Sequence, residues 1–252
     1  MIIFDRCGDS VNLENFLYLQ IAMTENKESQ NSSALREVSS GFSPWLTPLT
    51  YLLLNIILPL YFKIKVRGQK NLPRKNAIIL APTHRSRWDP LIIAYATGWL
   101  VTKRQLKYMV SEEQTQGFQG WFVRRLGGFP VDRHNPGISS IRHSVELLQN
   151  QEMLVLFPEG RIYKGNEIQP LQPGVARIAL QAVSSKSDLN LKIIPISVFY
   201  DHPAPPPWRC GVQVNIGSPL EVKDFAGEST KKGAKKLTAH IESSLKQLHQ
   251  KN

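Results

Sequence analysis

The stretch Ala77-Ile78-Ile79-Leu80-Ala81-Pro82-Thr83-His84-Arg85-Ser86-Arg87-Trp88-Asp89-Pro90 decides how this chain is read. Its first five residues form a short uncharged apolar run, the pattern of a strand buried on both faces. Asp89 followed by Pro90 is a helix-start signal, and a helix is expected over residues 89–100. The polar residues between them make a strand-to-helix turn. In open α/β sheets, ligands and catalytic groups collect at the carboxyl ends of strands. His84 and Asp89 stand five positions apart, which on a regular helix of about 3.6 residues per turn would not share one face. They meet only if His84 lies in the turn and Asp89 begins the helix. A carboxylate bonded to one imidazole nitrogen then fixes the tautomer and leaves the other nitrogen to take a proton from an alcohol.

Outward from this stretch, strand and helix signals alternate. Strands are expected at Leu106–Val110, Gly128–Val131, Met153–Phe157, Leu191–Tyr200 and Gly211–Ile216. Helices are expected at Phe118–Leu126, Ile138–Leu148, Val175–Val183 and, Lys-rich and amphipathic, Ser229–Leu248. Pro203 to Pro207 read as loop by composition. This alternation predicts an α/β fold, a central mixed sheet flanked by helices, with a catalytic domain over residues 66–252. Residues 1–42 read as a polar, flexible segment in which Asp5, Asp9 and Glu14 interrupt any signal-peptide pattern.

Residues 43–65 hold the most apolar run of the chain, WLTPLTYLLLNIILPLYF from Trp45 to Phe62, with no charged residue. Lys63, Lys65 and Arg67 follow at once, and Trp45, Tyr51, Tyr61 and Phe62 lie toward its flanks as in an aromatic belt. A span needs about 20 residues, so the expectation is a helical segment that either inserts into one leaflet or crosses once, with the cations on anionic head groups. A buried core helix is the alternative.

The formal charge of +11 points to anionic partners: nucleic acid, phosphorylated small molecules or acidic lipids. Trp121, Phe122, Arg124 and Arg125 mix aromatic and basic residues, and beside an apolar segment they suit a lipid interface better than nucleic acid. Cys7 and Cys210 lie far apart with no Cys or His at ligand spacing. No metal site and no disulfide scaffold is expected.

Residues Thr83 to Asp89 resemble the first block, His-x4-Asp, of the glycerolipid acyltransferases. Gly127-Gly128-Phe129-Pro130-Val131-Asp132-Arg133 is similar to the second block of that family. Phe157-Pro158-Glu159-Gly160 resembles the third, and Ile194-Pro195-Ile196 the fourth, all in order over about residues 60–220. The resemblance implies transfer of an acyl group from an acyl-ACP or acyl-CoA thioester, with no bound cofactor, to a lysophospholipid acceptor. The favoured acceptor is 1-acyl-sn-glycerol 3-phosphate, giving phosphatidic acid, with glycerol 3-phosphate or another lysolipid as the runner-up. It implies His84 as general base and Asp89 as its orienting partner. Arg133, Glu159, Gly160 and Arg161 would hold the acceptor's phosphate and glycerol, with Glu159 either bonding an acceptor hydroxyl or steadying a nearby Arg. Here the third block departs from the family's usual Thr-Arg-Ser after the glycine: Arg161 stands one place early, and Ile162 and Tyr163 follow. Such an enzyme would work at a membrane surface bearing anionic lipids, on its cytoplasmic face.

Two rival classes compete with this reading. A hydrolase would need a nucleophile or metal, and the motifs supply no such set. A non-catalytic basic membrane-binding module would keep the charge but gives no reason for the His84–Asp89 pair.

Overall fold

The computed structural model describes residues 46–111, 120, 123–124, 126–131, 138–165, 167–227 and 229–250. The N-terminal segment 1–42, most of the helix expected at 118–126, and Arg133 lie outside these residues.

Eight strands form one mixed sheet among the described residues. In chain order they are β1 (Lys63–Arg67), β2 (Ala77–Pro82), β3 (Leu106–Ser111), β4 (Gly128–Val131), β5 (Met153–Val155), β6 (Leu191–Tyr200), β7 (Gly211–Ile216) and β8 (Leu220–Glu221). Their order across the sheet is β1-β7-β6-β2-β5-β3-β4, with β8 beside β6. β2 runs parallel to β5 on one side and to β6 on the other. β7 is antiparallel to β6 and parallel to β1, which makes the sheet mixed. The chain leaves β2 toward β3 and β4, returns through β5, and crosses to β6 on the far side. β2 is therefore the switch point of the topology, and the carboxyl ends of β5, β2 and β6 lie side by side there.

Every residue of β2 is buried. A central parallel strand is covered on both faces, so an unbroken apolar run is what its position requires. On one face Ile78 and Leu80 join a core with Tyr51, Leu58, Phe62, Ile92 and Ile93. Those residues come from α1 (Leu46–Tyr61), its end and α2 (Asp89–Thr97). The helices α4 (Ile138–Gln149), α5 (Gly174–Ser185) and α6 (Thr230–His249) form a second layer, α5 packing against both neighbours.

The helix expected over 89–100 is two helices. It stops at Gly98 and restarts as α3 (Trp99–Thr102). A Cβ on Gly98 would collide with the Tyr51 ring and the Ala94 carbonyl, so α1 approaches through the space this glycine leaves. β5 likewise ends at Val155, before Phe157.

α1 carries the apolar run, and its two sides differ. Tyr51 and Leu58 are buried in the core, while Leu49, Leu52, Leu53, Ile56, Ile57 and Leu60 are 46–60% exposed. That spacing is one face of a helix. At 16 residues the helix is about 24 Å long, short of the roughly 30 Å of a hydrocarbon core. Among the described residues no helix is long and apolar enough to cross a membrane. The cations that follow lie on β1, whose residues are alternately exposed and half-buried.

Candidate active site

Three adjacent parallel strands deliver the site. β2 ends into Thr83 and His84, β5 into Phe157 and Glu159, and β6 in Tyr200. Thr83 is buried, and its hydroxyl donates to the Val198 carbonyl and accepts from the Val198 amide. The turn is thus clamped to β6 as soon as it leaves β2.

His84 Nδ1 lies 2.9 Å from Asp89 Oδ2. The same oxygen accepts the backbone N–H of Arg85 at 2.6 Å and of Ser86 at 2.8 Å. An oxygen that receives two amide donors is an acceptor for the imidazole as well, so Nδ1 carries a proton and Nε2 is left as the basic nitrogen. Asp89 is fully buried while the His84 side chain keeps 16% of its exposure. Only the histidine faces out. Asp89 sits at the first turn of α2, where the helix dipole also favours a carboxylate.

Phe157 stacks on the His84 ring, with centroids 4.0 Å apart and planes inclined by 23°. The Tyr163 amide donates to the His84 carbonyl at 2.8 Å, so the loop after β5 grips this turn through backbone as well. Trp88 stacks on Tyr61 and meets Phe62 edge-on, both ring pairs at 5.3 Å, which ties the end of α1 to the site.

Arg85 is 4% exposed. Its guanidinium donates to both oxygens of Glu159, at 2.6 and 2.9 Å, and to the Glu167 carbonyl at 3.0 Å. This is the fork geometry that suits arginine to a carboxylate. Gly160 follows with φ +73°, a left-handed conformation that glycine adopts without strain, and its amide closes a turn onto the Phe157 carbonyl. Arg161 is exposed, donates to the Tyr163 hydroxyl at 2.7 Å and lies over that ring. In the second block Gly127 has φ +91°, and a Cβ there would strike the Leu106 carbonyl oxygen. That requirement explains the glycine. Arg133 lies outside the described residues.

The structure therefore brings His84, Asp89, Glu159 and Gly160 to one edge of the sheet and leaves Arg161 on its surface. It also adds two residues the motifs did not single out: Arg85, and Tyr200, whose hydroxyl donates to Asp89 Oδ1 at 2.7 Å. Burial and the adjoining Asp89 push the Tyr200 phenol far above its ordinary range, so it remains a donor.

A second cluster stands beside the first. Asp201 Oδ1 receives His202 Nδ1 at 2.7 Å, the Cys210 thiol at 3.0 Å and the Gly211 amide at 2.9 Å. Ligand-type atoms of Asp201, His202 and Cys210 all lie within 4.8 Å of one another. Sequence spacing hid this grouping, because the loop Asp201–Cys210 folds back on itself between β6 and β7. Burial would raise the Asp201 carboxyl, but hydrogen bonds from His202 and Cys210 outweigh it and hold it below its usual range. Burial first, then the Asp201 carboxylate, pushes the Cys210 thiol up to about 11.

A histidine held by a buried carboxylate, with its other nitrogen facing outward, is equipped to move a proton. Residues 63–199, more than half of the chain, match the family model described as Acyltransferase, and the chain belongs to that family. It is 30% identical over 200 residues to the 1-acyl-sn-glycerol-3-phosphate acyltransferase of Bacillus subtilis, covering 79% of this chain and 94% of that one. The enzyme of the same name from Streptococcus pneumoniae is 30% identical over 156 residues, covering 60% of this chain and about half (52%) of the relative. The crystal structure of the 1-acyl-sn-glycerophosphate (LPA) acyltransferase PlsC from Thermotoga maritima shares the fold. Its TM-score is 0.60 at 18% identity, covering 94% of this chain and 87% of that chain. The α/β class with a mixed central sheet, expected from the sequence, is the fold found.

Proposed function

We propose that this acyltransferase moves a fatty acyl group from a thioester, acyl-ACP or acyl-CoA, to the free hydroxyl of 1-acyl-sn-glycerol 3-phosphate, giving phosphatidic acid. The observation that carries the reading is the tautomer of His84, with Nδ1–H held by a buried carboxylate and Nε2 presented outward. Nε2 takes the proton of the acceptor hydroxyl as its oxygen attacks the thioester carbonyl. The tetrahedral intermediate collapses with loss of the thiolate, which takes the proton from His84. Asp89 orients the ring and stabilises the imidazolium formed in between.

In this reading Glu159 acts through Arg85, since both its oxygens already lie on the guanidinium. The pair fixes the loop that carries Gly160. Arg133 is assigned to the acceptor phosphate, with the exposed Arg161, held against Tyr163, placed to share it. The acceptor is supported by the names of the two bacterial relatives. The test is product identification by mass spectrometry from purified protein, offered lysophosphatidic acid, glycerol 3-phosphate and other lysolipids with each donor. Phosphatidic acid from lysophosphatidic acid alone is expected, and a preference for glycerol 3-phosphate would replace this acceptor.

The enzyme's place is the surface of an anionic membrane, on the cytoplasmic face, with the exposed stripe of α1 laid into one leaflet. Support comes from its six large apolar side chains facing outward, a contiguous patch that a solvated monomer seldom carries. Replacing Leu52 and Ile56 by Asn should lower sedimentation with anionic vesicles without lowering the unfolding midpoint. Unchanged binding would exclude this face as the contact.

A further inference from the structure

The carboxylate of Asp89 is held in two unlike ways. Oδ2 receives its three donors from residues 84–86, all in the same turn. Oδ1 receives the Tyr200 hydroxyl, from the last residue of β6 and 111 positions away in the chain. Among the described residues this phenol is the one side chain that ties the carboxylate to the sheet rather than to its own loop. Asp89 is fully buried and Tyr200 is 5% exposed, so the bond is shielded from water. Phe62 packs near the Tyr200 ring at 6.3 Å.

The electrostatics of this bond have a direction. A hydroxyl pointing its proton at Oδ1 stabilises the anion and draws charge away from it. Less charge then faces the imidazole, and the imidazolium is held less firmly. The hydroxyl also pins the carboxylate plane, which sets the ring orientation through Oδ2. We propose that Tyr200 is a positioning residue of the transfer reaction, which fixes Asp89 and moderates how strongly that carboxylate holds a proton on His84. This rests on His84 as the general base. Tyr200 touches neither substrate nor the reacting atoms; it acts through Asp89.

Other ionisable groups surround the pair. Arg85 and Glu159 face it from the turn and from the loop after β5. Lys164 and His202 line a crevice shared with Arg85, Ser86 and Tyr200. Cys210 adjoins Tyr200 from the start of β7. All of them remain in a variant that removes only the phenol oxygen, so a change in pH dependence reports that oxygen.

The test is the pH profile of kcat/KM for the full chain with lysophosphatidic acid in mixed micelles. In Tyr200→Phe the acid limb should move to higher pH by about half a unit or more, since a carboxylate that loses a donor favours the imidazolium. A fall in kcat of about three- to tenfold should accompany it, with the donor KM little changed. Incorporation of 3-fluorotyrosine at position 200 keeps the shape but strengthens the donor, and should move the limb the other way. That variant also serves if Tyr200→Phe fails to fold. A limb that stays in place in a folded Tyr200→Phe, or in the fluorinated protein, overturns the proposal and leaves Tyr200 a packing role. His84→Ala separates the two levels: if it remains active the base assignment fails, and if it is inactive while the limb stays fixed only the role of Tyr200 fails.

Discussion

Two Asp–His pairs lie within one loop's reach of each other, and by distance alone the wrong one would be chosen. Asp201 and His202 are 2.7 Å apart, His84 and Asp89 2.9 Å. The side chains of the first pair are more than half exposed, at 51% and 59%, while Asp89 has no exposure at all. An exposed pair in water contributes little, and here only the carboxylate is held, by the Cys210 thiol and the Gly211 amide. In the buried pair every neighbour constrains the geometry: two amides and a phenol on the carboxylate, Phe157 on the ring and the Tyr163 amide on the His84 carbonyl. What separates the proposed base from a surface contact is the surrounding shell.

The largest effect should come from breaking one pair and not the other. His84→Ala should lower transfer by about 10² to 10⁴, the usual cost of losing a general base. His202→Ala should stay within about twofold of the parent, because that ring is more than half exposed and its bond to Asp201 is open to water. Both are read as initial rates of phosphatidic acid formation, with unfolding curves as control. Equal losses would mean that the crevice lined by His202 is part of the site, and the comparison would collapse.

The two arginines of the motif region sharpen the same contrast in stability. Arg85→Ala leaves Glu159 buried without its partner, and breaking such a pair costs about 3–5 kcal/mol. Arg161→Ala removes an exposed side chain whose one bond among the described residues is to Tyr163, with an expected change within about 0.5 kcal/mol. Denaturant unfolding of the two variants measures both. A small loss in Arg85→Ala would show that the loop after β5 is held by its backbone bonds alone.

Of the site, the part legible in the sequence is the part whose partners are close in the chain. His84 and Asp89 are five residues apart, and a strand followed by Asp-Pro was enough to bring them together. Arg85 and Glu159 are 74 apart, and Tyr200 and Asp89 111 apart. Those pairs are made by the order of strands, with β5 and β6 flanking β2, and no local pattern encodes that order. The fold divides the same way. Leu191–Tyr200 and Gly211–Ile216 run to the limits expected of them, the first a largely apolar run and the second an alternating one, each bounded by turn residues. β1 is not legible in the sequence, because Lys63, Lys65 and Arg67 read as a cluster for head groups. The same cations are also the charged side chains of an edge strand, where charge guards an unpaired edge.

The smallest effect concerns the second pair alone. The Cys210 thiol is pushed up to about 11, so slow reaction with iodoacetamide at neutral pH is expected. Burial is the first cause and the Asp201 carboxylate the second, so Asp201→Asn should lower the thiol's titration point and speed labelling at pH 9 a few-fold. The sign for stability follows from linkage. A thiol raised in the folded state above its ordinary value near 9 adds stability that is fully present below that pH. This stability is lost as pH rises through about 11, and Asp201→Asn should reduce the loss. Labelling is followed by mass spectrometry in a Cys7→Ser background, so that Cys210 is the one thiol read. If Asp201→Asn leaves transfer unchanged while labelling accelerates, the Asp201 cluster governs only its own thiol. If transfer falls in step with labelling, the two carboxylates are coupled through Tyr200 and its neighbour in the chain, and the two pairs form one network.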